Sequence, residues 1–166
     1  IYQYTLTTAW DISSASYASK SLDVSAQTTQ PYGIDFSTDG TKLYVCGLDN
    51  DTVFQYTLGT AWDLATASYA SKSLDANADG GATAPGMNNI KFHEDGVKFY
   101  FVDNGVQAVL QYTCATAWDI STATYDGVSF DFTSQATGMH GLDFSDDSTS
   151  KMYLCGYDKV VYQYSV

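Results

Sequence analysis

The chain has 166 residues, 45% of them apolar and 15% aromatic, enough for an ordinary core within one domain or one repeat array. Its net charge of −12 comes from 19 acids against seven lysines and no arginine. That balance repels phosphate backbones and anionic head groups, and with no basic cluster to offset it the readings of nucleic-acid binding and membrane-surface binding fall away.

All the acids except Glu94 are Asp, which suits turns better than helices. Gln-Tyr recurs at positions 3, 55, 111 and 163, in steps of 52, 56 and 52 residues, and Ala-Trp-Asp keeps the same beat at Trp10, Trp62 and Trp118. A fixed period of this size marks a propeller or a solenoid. The units run over about 3–54, 55–110 and 111–162, one array across residues 1–166.

In chain order, residues 1–6 enter as the third strand of a unit, with Trp10 in the connection to a fourth. The absence of an initiating Met at this point, inside a strand pattern, points to a processed product or a piece of something longer. Residues 32–36 read as a first strand, matched by 90–92 and 142–144. Asp39-Gly40 then predicts a tight hairpin, repeated at Asp95-Gly96 and altered to Asp146-Asp147-Ser148 in the last copy.

Residues 42–46 are apolar on both faces, as in a strand sandwiched between sheets, and 98–102 and 151–155 match them. Phe54, Tyr56 and Leu58 alternate with Gln55 and Thr57 in a third strand. Residues 68–74, rich in Ser, Ala and Lys, fit a wet outer strand. The pattern predicts an all-β propeller of four-stranded antiparallel blades, about three in this chain, with apolar strands at the axis and polar ones at the rim. A β-solenoid would have shorter rungs without such hairpins. Cys46 and Cys155 share one buried slot and Cys114 falls where other copies carry Leu6, Leu58 and Val166, so all three read as small core hydrophobes.

The segment Phe36-Ser37-Thr38-Asp39-Gly40-Thr41-Lys42-Leu43-Tyr44-Val45 resembles the blade repeats of YVTN-type and lactonase-like β-propellers, and the likeness covers all three copies. The resemblance implies a fold and an extracellular, virion or cell-surface setting. It implies no single activity, because such repeats serve structural proteins and enzymes alike.

The strands sum to thirteen, one more than three whole blades, while propellers commonly close with about four to eight. The array is therefore expected to be a slice of a longer propeller or to complete a ring with copies of itself, and the repeated third strand fits the slice better.

Asp75-Ala76-Asn77-Ala78-Asp79-Gly80, in the one insertion, matches the start of a calcium loop, with oxygens of Asp75, Asn77 and Asp79 placed to wrap a hard cation. Gly86 stands where the full pattern needs a bidentate Glu, so an ordinary Asp-Asn-Gly turn is the alternative. Asp49-Asn50-Asp51, Asp103-Asn104 and Asp158 are expected on the same end of the blades. Tyr32, Asn88 and His140 occupy one changing slot at the entrance to the first strand, and Asp35, Lys91 and Asp143 another, so these six are expected to line a channel mouth. The three Trp residues could stack on sugar rings, or plug the seams between sheets.

His93 and His140 stand apart, and no nucleophile elbow, metal triad or phosphate loop is present. The leading expectation is a non-enzymatic structural or recognition module bound to further blades, a glycan or a surface protein. The resemblance also admits a metal-dependent lactonase-like hydrolase using Asp35 and Asp143, and the tryptophans a carbohydrate-binding propeller.

Overall fold

The computed structural model describes residues 1–82, 86–145 and 151–165. Among them lie thirteen strands in four antiparallel meanders. The first blade pairs β1 (Tyr2–Leu6) with β2 (Ala15–Ser21), and the second runs β3 (Pro31–Phe36), β4 (Lys42–Gly47), β5 (Thr52–Leu58) and β6 (Ala67–Asp75). The third comprises β7 (Met87–Phe92), β8 (Lys98–Asp103), β9 (Ala108–Cys114) and β10 (Ala123–Asp131); the fourth, β11 (Met139–Phe144), β12 (Lys151–Gly156) and β13 (Val161–Ser165). The thirteen strands and their order are those the repeat predicts, and the expected three blades' worth of chain is spread over two whole and two partial ones. The altered hairpin at Asp146-Asp147-Ser148 and the Val166 slot lie outside the described residues.

Alternation along each strand divides the core into three seams. Leu43, Val45, Phe54, Tyr56 and Leu58 pack with Val24, Ile1 and Leu22 of the first blade. The intervening Tyr44, Cys46 and Val53 turn the other way, onto Ile90, Phe92, Phe99, Phe101 and Tyr112 of the third blade. Val102 and Val109 meet Leu142, Met152 and Leu154 of the fourth in the same fashion. Each blade thus has a leading face toward the next blade in the chain and a trailing face toward the one before. Burying each of these large side chains is worth about 1.5–3 kcal/mol, so the seams hold the array together.

Two local features differ from the sequence reading. The Asp-Gly turns are four-residue turns closed by Gly40 N to Ser37 O and Gly96 N to His93 O, and only the glycines take positive φ, +69° and +70°. Each Ala-Trp-Asp motif forms a short 3₁₀ turn, at Ile12–Ser14, Leu64–Thr66 and Ile120–Thr122, capped by the carboxylate of Asp11, Asp63 or Asp119. The preceding Trp in each copy sits at φ +63° to +65°.

The expectation that all three cysteines are core residues holds for Cys46 and Cys114 and fails for Cys155, which is exposed. Its slot lies on the leading face of the fourth blade, which no other blade among the described residues covers. Burial pushes the Cys46 thiol up to about 12 and that of Cys114 up to about 11, which leaves both unreactive.

Candidate functional site

The innermost strands β3, β7 and β11 lie side by side, so one slot in each can bring chemistry together. Asp35 sits half-buried in the second blade, where its Oδ2 accepts Phe92 N of the third blade at 2.7 Å and its Oδ1 accepts its neighbour Phe36 N at 2.9 Å. Burial raises its carboxyl above the usual range, against the pull of those two N–H donors and of Lys91. Lys91 Nζ in turn meets Asp143 Oδ1 of the fourth blade at 3.0 Å. Asp35, Lys91 and Asp143 therefore form an acid–base–acid row across two seams, reaching from blade to blade.

The other slot is divided. Asn88 is buried, gives its amide to Gly86 O at 2.6 Å and meets His140 Nδ1 through its Oδ1 at 3.0 Å. The His140 ring abuts Tyr157 edge-on at 4.2 Å. Tyr32 is exposed and belongs to neither contact pair. The structure brings five of the six channel residues into two separate groups.

The loop after β6 follows turn chemistry. Asp75 Oδ1 accepts Asn77 N at 3.0 Å and Ala78 N at 3.1 Å, so its carboxylate closes its own turn. Asp79 Oδ2 reaches across the seam to Tyr125 N at 2.7 Å. Among the described residues no three His, Cys, Asp or Glu side chains converge in metal-binding geometry. Asp51, on the same end, is buried and accepts Gly86 N and Met87 N at 2.9 and 3.1 Å, another clasp between blades.

The tryptophans divide by environment. Trp118 is half-buried, stacked on Phe92 at 5.2 Å and on Tyr44 of the preceding blade at 6.3 Å. Trp62 lies against Phe36 of its own blade at 5.2 Å. Both rings cover hairpin glycines: a Cβ at Gly40 or Gly96 would fall 2.2 Å from the indole. Trp10 belongs to a two-stranded blade without that hairpin, and it is 98% exposed.

The glutamines of the Gln-Tyr beat carry a function that the sequence reading used only as a marker. Gln3 Oε1 accepts Leu64 N of the next blade at 2.9 Å, and Gln55 Oε1 accepts Ile120 N at 3.1 Å. Beside each clasp a fourth-strand lysine pairs with the capping Asp of the next blade, Lys20 with Asp63 at 2.8 Å and Lys72 with Asp119 at 2.5 Å. The Tyr44 hydroxyl adds a bond to Trp118 O at 2.8 Å. Gln in every copy, and Lys in the first two with the Asp one blade later, was the signal; the third copy has Val128 in place of the Lys, and Gln111 turns to Asp126 of its own blade.

A cavity of about 850 Å³ opens at the hairpin end, bordered by Asp35, Lys91, His93, Lys98, Trp118 and Phe144. It mixes aromatic walls with both signs of charge, a surface suited to a polar ligand with one apolar face. This is the opposite end of the blades from the Asp75 loop.

No family model matches the chain, and no curated protein matches it. Several solved structures are similar, these two among them. A provisionally assigned 6-phosphogluconolactonase from Bacteroides uniformis gives a TM-score of 0.60 at 14% identity, over 82% of this chain and 37% of that one. KlAtg21, solved in complex with the coiled coil of AgAtg16, gives 0.51 at 13% identity over the same shares, 82% and 37%. The chain spans little more than a third of either protein, and likeness at this identity extends to the fold alone.

Proposed function

We propose that the chain is a non-enzymatic β-propeller array, a structural or recognition module at an extracellular, virion or cell surface. Its ring partners are further blades, from copies of itself or from the rest of a longer chain, and its ligands are a glycan or a surface protein. One observation carries this reading: the acids that a hydrolase would need are engaged in joining blades. Asp35 holds Phe92 N, Asp143 holds Lys91, and Asp79 holds Tyr125 N. A carboxylate fixed on a backbone N–H has fewer lone pairs left for a metal or an attacking water.

The lactonase-like alternative draws support from the fold of the Bacteroides uniformis neighbour. A lactone-hydrolysis assay with and without calcium separates the two. The expected result is no turnover above buffer. Calcium-dependent turnover that disappears in Asp35→Asn or Asp143→Asn would replace the present reading. Calorimetry with calcium on the chain and on Asp79→Ala tests the loop, and the expected outcome is no calcium-dependent heat in either. Glycan-array binding lost on changing Trp10, Trp62 and Trp118 would establish the carbohydrate-binding version of the recognition role.

A further inference from the structure

Both ends of the array expose faces whose counterparts in the second blade are largely buried. On the trailing face of the first blade Tyr2, Tyr4, Leu6, Tyr17 and Ile12 all lie open, Ile12 at 86% exposure. Four of their five counterparts in the second blade, Phe54, Tyr56, Leu58 and Leu64, are covered by the first blade, Leu64 to 5%, while Tyr69, the counterpart of Tyr17, stays 37% exposed. The aromatic arrangement repeats: Tyr4 lies 5.6 Å from Tyr17 as Tyr56 lies 5.6 Å from Tyr69.

At the other end, the leading face of the fourth blade carries Tyr153 opposite Gln163 and Cys155 opposite Val161. The second blade carries Tyr44 opposite Gln55 and Cys46 opposite Val53 in the same register. Those four residues are all buried against the third blade, whereas Cys155, Val161 and Gln163 are exposed.

We propose that the two end faces are complementary, and that a second copy of this chain docks the leading face of its fourth blade on the trailing face of the first, head to tail. The docked seam continues the two clasps already inside the chain. Gln163 Oε1 accepts Ile12 N as Gln55 accepts Ile120 N, and the Tyr153 hydroxyl donates to Trp10 O as Tyr44 donates to Trp118 O. An unrelated partner would have to supply a Tyr, a Gln and a small apolar pair in one register; a copy of the chain carries them. The lysine pair of the first two seams is missing from this one, as it is from the seam after the third blade, because no fourth strand of the fourth blade lies among the described residues, and a pair of that kind contributes little. The contact is heterologous, so it closes a ring or propagates.

Cys155 reports the docking, being the exposed cysteine beside two buried ones. Thiol labelling of the intact chain is followed with light scattering as concentration rises. The expected result is a growing mass with Cys155 labelling slowed at least about tenfold, as for a group closed off in a seam. A head variant, Tyr4→Lys with Ile12→Asp, and a tail variant, Val161→Lys with Gln163→Ala, alter exposed positions, and circular dichroism checks their folding. Each alone stays monomeric, and their equal mixture gives a single dimer, because each supplies the face the other lacks. A monomer with concentration-independent labelling, association that survives both variants, or a mixture that stays monomeric would overturn the proposal. Mass and labelling are read independently of turnover, so this outcome and the lactone assay are separable.

Discussion

Asp39 holds its hairpin by accepting from the Ser37 hydroxyl at 2.6 Å, from Thr41 N at 3.0 Å and from the Thr41 hydroxyl at 2.8 Å. Those donors, the Ser37 hydroxyl first, hold its carboxyl at about 2 against an ordinary 3.8. The folded value is the lower one, so its stabilisation is complete above 3.8 and is lost as pH falls through about 2. Urea midpoints of wild type and Asp39→Ala should differ by a constant amount above about pH 5 and converge on approach to pH 2. Asp35 has the opposite sign. Its folded value is raised by burial, so ionising it costs stability above that value, and protonation relieves the cost as pH falls toward 3.8. Acidification over that window should therefore improve wild type relative to Asp35→Asn in the same measurement. The turn role of Asp39 was legible, because Asp before Gly after a strand has one common use. The reach of Asp35 was not: an acid between Ile34 and Phe36 reads as facing a channel, and only the placement of the next blade's Phe92 N shows the seam.

At the scale of elements, the hairpin and the Ala-Trp-Asp turn are one device. Gly40→Ala and Gly96→Ala meet both a positive φ and an indole, and should cost about 2–4 kcal/mol in chemical denaturation. Gly127→Ala shares the φ of +70° with nothing within 4 Å, and should cost only about 1 kcal/mol. The glutamine clasps give a second contrast. Gln55→Ala strands a buried N–H of Ile120 and should cost about 1–3 kcal/mol, whereas Gln111, bonded to Asp126 within its own blade at 2.6 Å and half-buried, should cost less on the same change. Strand order was readable because period-2 alternation and turn residues are local signals. The outer-strand bulges at Ser19, Ser71 and Gly127, with φ of +56°, +55° and +70°, were not, because two of the three are serines that announce no left-handed backbone.

For the whole molecule, the first blade is the weak end. It has two strands and an open face, so amide exchange in β1 and β2 should be the fastest among the strands and that in β8 and β9, enclosed on both faces, the slowest. The repeat period foretold the array and its blades. It did not foretell which polar residues join them, since clasps between blades pair positions some 60 residues apart with no local trace. Five of these clasps end on main-chain groups, the N–H of Leu64, Ile120, Phe92 and Tyr125 and the carbonyl of Trp118, beside side-chain pairs such as Lys20–Asp63 and Lys72–Asp119. A main-chain group is present whatever side chain a mutation installs. A unit exchanged in frame consequently offers its new neighbours the same main-chain partners, and a junction forms wherever the incoming blade brings a clasping side chain, as Gln3 and Gln55 do and Gln111, bonded to Asp126 of its own blade, does not.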